Sequence, residues 1–212
     1  MRFTENGVTY NLRDDNTLEV ESFSPDLQYV VIQSFVNRYP VTRVKFRAAW
    51  KHRNLVSVTF PKTMQDLGIE CFSCCEQLLE VHFCSKIASL HRAAFAECGR
   101  LQKVTGQSIR MDAPDVFSGC ARLESLNVVC QHNIPYKSFD NCKYLREITC
   151  GKDVIVDDSA FDGCVSLEKF TLLGDAIVSR DMWAFIAKRE IVCPENSRFA
   201  EMAYSGTKVL LV

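Results

Sequence analysis

The chain has 212 residues, 47% of them hydrophobic, enough to bury a sizeable core in one or two domains. Lys and Arg number 25 against 26 Asp and Glu, a formal charge of -1, which excludes a global preference for nucleic acid or other polyanions. No apolar run approaches the ~18–20 residues of a membrane-spanning helix, and MRFTENGVTY lacks the apolar segment of a signal peptide.

Residues 1–34 read as a β-hairpin cap. Val8, Tyr10 and Leu12 alternate, Asp14–Asn16 supply a turn, and Leu18 and Val20 resume the alternation. A first, degenerate copy of a repeat follows at Phe35, Arg38, Val41, Val44 and Phe46, and a second at Ala49, His52, Leu55, Val58 and Phe60.

From Phe72 onward the unit is written in full. FSCCEQLLEVHF sets Phe72, Cys75, Leu78, Val81 and Phe83. Copies at Phe95, Phe117, Phe139 and Phe161 place Cys98, Cys120, Cys142 and Cys164 three residues on, and Leu101, Leu123, Leu145 and Leu167 six residues on. The Phe marks lie 23, 22, 22 and 22 residues apart. A second apolar mark precedes the Phe by five residues at Leu67, Leu90, Ile134, Val156 and Val178. Asp112 breaks that rule, so the backbone there is expected to deviate. Farther on, Trp183 takes the Phe place before the pattern dissolves into REIVCP.

The spacing has a physical reading. L-x-x-V-x-F puts Val and Phe on one face of a short strand, with Leu entering at the preceding turn. A single strand of this kind cannot bury its apolar face, but stacked copies share a continuous core. The predicted fold is a repeat solenoid, a leucine-rich-repeat right-handed superhelix with a parallel β-sheet on one face. About 7 coils span 35–193, and residues 194–212 close the rod as a C-terminal cap.

The units A-F-x-x-C-x-x-L-x-x-V-x-F resemble the BspA-like leucine-rich repeats of bacterial surface proteins. RYPVTRVKFRAAWKHRNLVSVTFPKTM is similar to that family's opening copies, and VCPENSRFAEMAYSGTKVLLV to its closing cap. The resemblance implies a shared scaffold rather than a catalytic site: a non-enzymatic protein- or glycan-binding module for adhesion or recognition. It implies an extracellular or cell-surface location if a leader has been removed. A cytoplasmic interaction scaffold is the alternative, favoured by Met1 and by the unpaired cysteines.

The residues that carry chemistry elsewhere read as structural here. Cys75, Cys98, Cys120, Cys142 and Cys164 share one repeat position and are expected to stack as reduced, buried packing groups beside Phe72, Phe95, Phe117, Phe139 and Phe161. Eleven is an odd number of cysteines, so they cannot all pair within one chain. Cys71, Cys74 and Cys75 contain a C-x-x-C without the second ligand pair of a zinc site. His52, His82, His91 and His132 fall at different register positions and assemble no triad, and Asp157–Asp158 read as turn residues. No cofactor, metal or enzymatic activity is expected.

Binding is expected on the exposed face of the sheet. Glu80 beside Lys103, and Glu147 beside Lys169, pair off between rungs. From Gln28 to Met64 there is no acid, yet Arg38, Arg43, Lys45, Arg47, Lys51, Arg53 and Lys62 occur. The ligand-binding face is therefore placed at Arg43, Lys45, Val56, Leu79 and His82, with an acidic protein or anionic glycan as partner and a monomeric chain. A competing account is that the acids of residues 1–26 simply neutralise this neighbour.

Overall fold

In the computed structural model, which describes residues 1–84, 89–205 and 207–212, the N-terminal alternation becomes strands β1 (Arg2–Glu5), β2 (Val8–Leu12) and β3 (Leu18–Phe23). β1, β2 and β3 form an antiparallel meander. Val8, Tyr10, Leu18 and Val20 all point into the core. Next come β4 (Tyr29–Val31), β5 (Phe35–Val36), β6 (Tyr39–Val44), β7 (Ser57–Phe60), β8 (Asp66–Leu67), β9 (Glu80–Phe83) and β10 (Ser89–Leu90). Longer β11 (Lys103–Arg110) and β12 (Ser125–Gln131) precede β13 (Asn133–Ile134), β14 (Glu147–Cys150), β15 (Val154–Val156), β16 (Lys169–Leu172) and β17 (Ala176–Ile177). Helix α1 (Arg180–Ile186), β18 (Glu190–Cys193), a 3-10 helix at Arg198–Ser205 and β19 (Val209–Leu211) finish the chain.

The chain is a parallel-strand solenoid. One side is a nine-stranded sheet ordered β19-β18-β16-β14-β12-β11-β9-β7-β4. The second side is built from β3-β6-β8-β10, continuing in parallel from the hairpin, and from a separate sheet β13-β15-β17. The apolar marks Leu67, Leu90, Ile134 and Val156 lie in these second-side strands and are buried. At the copy that breaks the rule, Met111 takes the inward place beside Asp112 and makes a lone bridge to Leu90.

The Phe segment forms a third side, and it explains the F-x-x-C spacing. The residues two before and two after the Phe position adopt positive φ: Arg47 and Lys51, Glu70 and Cys74, Ala93 and Glu97, Asp115 and Gly119, Lys137 and Asn141. Alternating left- and right-handed backbone turns alternate N–H groups toward the next coil. Phe72, Phe95, Phe117 and Phe139 donate to the carbonyls of Ala94, Val116, Ser138 and Ala160. Glu97, Gly119 and Asn141 donate likewise to Ser118, Asp140 and Asp162. Backbone N–H groups on this third side are thus satisfied between coils, as they are within the ladders of the two sheeted sides, leaving the interior to apolar side chains.

That interior is one continuous cluster. Phe72, Phe95, Phe117, Phe139 and Phe161 are buried and stack face to face, with successive ring centroids 5.4, 5.5, 5.5 and 5.5 Å apart. The stack continues on Phe185, 6.2 Å from Phe161 and nearly parallel to it, not on Trp183. Folding of residues 180–186 into a helix carries Trp183 away to stack on Phe199 at 4.4 Å. Gly206, within the predicted closing cap, lies outside the described residues.

All eleven cysteines are free thiols. Those of the column do more than fill space. Cys98, Cys120, Cys142 and Cys164 donate to the carbonyls of Phe72, Phe95, Phe117 and Phe139 in the preceding coil, at 3.1, 3.1, 3.2 and 3.0 Å. Cys75 reaches the Ala49 carbonyl, in the Phe position of its coil, at 3.1 Å. Burial raises the pKa of Cys98, Cys120 and Cys142 above the usual thiol range and takes Cys164 to about 12, so the column stays protonated as a donor ladder.

Candidate functional site

Strand alternation decides what the nine-stranded sheet shows to solvent. Val58, Val81, Val104 and Leu126 point inward and are buried. The neighbouring outward positions form two rows. Tyr29, Ser57, Glu80, Lys103 and Ser125 are register partners, as are Val31, Thr59, His82, Thr105 and Asn127. His82 is exposed, with Nδ1 2.7 Å from the Thr105 hydroxyl on the next strand. Toward the C-terminal end, the outward row carries paired charges, Glu147 with Lys169 at 3.6 Å and Glu190 with Lys208.

The five residues assigned to the binding face from sequence do not gather on it. Val56, Leu79 and His82 lie on the nine-stranded side: the Leu79 N–H donates to the Val56 carbonyl, stacking the two on consecutive rungs. Val56 and Leu79 are half-buried rather than exposed. Arg43 and Lys45 belong to the other side, because β6 pairs with β3 and β8, not with β7. Nor is their charge unbalanced. Arg43 meets Asp66 at 3.5 Å, and Lys45 meets Glu21 of the hairpin at 3.0 Å. Hydrogen bonding from Lys45 holds the Glu21 carboxyl below its ordinary pKa. Arg47 pairs with Glu70 at 2.6 Å. The acids of residues 1–26 and of the second coil neutralise much of this basic stretch.

The first rung of the nine-stranded sheet comes instead from β4, inside the stretch read as hairpin cap. Its outward residues, Tyr29 and Val31, are 69% and 66% exposed. Beside Val56, Leu79 and His82 they make the N-terminal end of this face an apolar patch at an open sheet edge. Sequence reasoning missed them because QYVVIQ carries no repeat mark; its run of strand-forming residues was the available signal.

His52, read as a packing residue in the cysteine position, is buried and bonded. Its Nδ1 accepts from the Leu55 N–H at 3.1 Å, which leaves Nε2 as the donor to the Ser24 carbonyl at 2.9 Å. Among the described residues no three His, Cys, Asp or Glu side chains converge in a metal-binding group.

With this architecture in view, the comparisons with known proteins agree with it. The BspA type leucine rich repeat region matches residues 46–168 and 113–208 in 6 copies, and the chain belongs to this family. No curated protein matches it. Three similar solved structures are leucine-rich repeat proteins. That of Bacteroides ovatus is 17% identical, covers 98% of this chain and 66% of its own, and has a TM-score of 0.57. The T. pallidum protein is 18% identical over 79% of this chain and 91% of its own, with a TM-score of 0.57. The Bacteroides capillosus protein is 22% identical over 60% of this chain and 97% of its own, with a TM-score of 0.52.

Proposed function

We propose that the chain is a non-enzymatic recognition module that binds a partner protein at the N-terminal end of its nine-stranded sheet. The observation that carries this reading is the patch of Tyr29 and Val31, both about two-thirds exposed on an open edge strand, continued by Val56 and Leu79. Contiguous exposed apolar surface on a soluble face marks interaction sites, and an unpaired edge offers backbone donors and acceptors to an extended segment. A protein partner fits better than an anionic glycan, because Arg43 and Lys45 are paired with acids on the other side.

A bacterial surface location accords with membership of the BspA type family. A second reading, a cytoplasmic scaffold, is favoured by the eleven free thiols, which suit a reducing compartment. Protease treatment of intact cells separates the two: release of fragments of this chain supports the surface, and full protection supports the cytoplasm.

The binding face is tested by placing a photo-crosslinking residue at position 29 in the wild type and in a Val31→Ser/Leu79→Ser variant. Discrete adducts formed by the first and lost by the second, with unchanged circular dichroism, support the site. Equal crosslinking by both removes it.

A further inference from the structure

Among the described residues, the second side of the solenoid is interrupted between two sheets. Its N-terminal sheet ends at β10 and the next begins at β13. Between them, residues 111–114 give this side no strand, only the bridge from Met111 to Leu90, before Pro114, which has no N–H to donate. The repeat broken at Asp112 is this missing rung. A cleft of about 480 Å³ opens beside it, lined by Asp112, Pro114, Tyr136, Ile155, Asp157 and Asp158 among others.

The lining divides in two. Tyr136 and Ile155 are 51% and 50% exposed, and with Pro114 and Pro135 they form an apolar wall. The opposite character comes from three carboxylates, with no Lys or Arg among the described lining residues and one ammonium, Lys137 Nζ, over the Tyr136 ring on the apolar wall. Asp112 is already engaged, its Oδ2 2.8 Å from Arg110 and 2.7 Å from the Ser89 hydroxyl. Asp157 and Asp158 are held differently, each through one oxygen and by neutral donors. Asp157 Oδ1 accepts the Ser159 N–H and hydroxyl at 3.1 and 2.7 Å, and Asp158 Oδ1 accepts the Ser179 hydroxyl. Both are thereby oriented without being neutralised, and both are exposed.

We propose that this cleft binds a basic peptide segment, its arginine or lysine head taken by Asp157 and Asp158 and its aliphatic stem laid along Ile155 and the prolines. Paired carboxylates beside apolar surface match a cation carried on a hydrocarbon stem. A neutral saccharide would need the face of Tyr136, but Lys137 Nζ already lies over that ring, 5.3 Å from its centroid. This site is in a different sheet from the patch at Tyr29, so it stands or falls separately.

The test is fluorescence anisotropy on the full chain with a labelled acetylated peptide of alternating Leu and Arg, against the same peptide with Gln for Arg. The Arg peptide binds, and binding weakens between about 20 and about 200 mM NaCl as screening tightens. Asp157→Asn/Asp158→Asn keeps the oxygen used by Ser159 yet weakens binding at least about tenfold. Val165→Ser, on an exposed turn outside both sites, leaves it unchanged. Should the double variant melt early, Ile155→Lys sets a cation in the cleft mouth and produces the same loss. Equal affinity for the Gln peptide, undiminished binding by either cleft variant, no binding at all, or a neutral oligosaccharide that displaces the peptide would each overturn the proposal.

Discussion

His52 Nε2 donates to the Ser24 carbonyl at 2.9 Å, the same reach back to the preceding coil that Cys75 makes to Ala49 at 3.1 Å. The imidazole stands in for a thiol at the head of the ladder and also takes the Leu55 N–H. His52→Ala removes both bonds from a buried site and should cost about 1–3 kcal/mol. His52→Cys should cost less. It restores the thiol donor, and the Leu55 N–H can turn to the residue-52 carbonyl as Leu78 does to Cys75, at 3.1 Å. Urea denaturation of the three proteins side by side checks the order.

Phe139 is stacked on both faces, 5.5 Å from Phe117 and from Phe161. Phe139→Ala opens a cavity in a dry interior and should cost roughly 3–5 kcal/mol. Coils touch only their neighbours, so protection in hydrogen exchange should fall first around residues 117–161 and least in the hairpin. A uniform loss along the chain would contradict this.

The thiols make a prediction about alkaline pH. Burial pushes Cys150 and Cys164 up to about 12, while an unfolded thiol titrates near ~8.5. The folded state therefore holds these protons longer than the unfolded state does. Their contribution is complete below the unfolded value and is lost as pH rises from there toward about 12. Denaturation midpoints should fall between about pH 8 and about pH 10, and Cys150→Ala should flatten that fall. In the native state at neutral pH, a thiol reagent should find Cys74 and Cys84, the two that are not buried, before any other.

Lys45 and Glu21 tie the hairpin to the first coil, and both side chains remain partly in water, 45% and 15% exposed. Lys45→Glu sets like charges together and should destabilise by about 0.5–1 kcal/mol at low salt, less at high salt. Glu21→Lys on the same background should recover part of it, since it restores the pair with residue 45 but sets a cation beside Arg2, which bonds Glu21 at 2.7 Å. The depressed Glu21 pKa adds an acid limb: its stabilisation is present above the ordinary carboxylate value of ~4.3 and fades as pH falls below it.

The repeats were legible because their core is local: Phe, Cys, Leu and Val recur at fixed offsets within one coil, and each offset maps to one inward position. Legibility failed where that coupling is absent. β6 imitates a repeat through Val41, Val44 and Phe46, yet it belongs to the hairpin's sheet, a long-range pairing that no local spacing encodes. Phe46 accordingly ends up 53% exposed. β4 carries no repeat mark at all, so Tyr29 and Val31 were invisible as a surface. Several left-handed positions also lacked a signal, since Lys51, Cys74 and Glu97 occupy the place where Gly119, Asn141 and Gly163 suggest positive φ. The thiol ladder was half legible: the column was plain, but its bonds to carbonyls depend on how coils stack.

Each joint between coils is made of the same parts: a phenylalanine ring on the next ring, a thiol under the preceding carbonyl, and an amide pointing forward to the following turn. A duplicated 22-residue segment running from one Phe to the next would meet complementary surfaces above and below and need no new contact of its own. Such a chain can be lengthened by copying, the way a column grows by adding drums, while sequence change on the outward rows proceeds without disturbing the joints. Length and recognition can therefore evolve separately in this molecule.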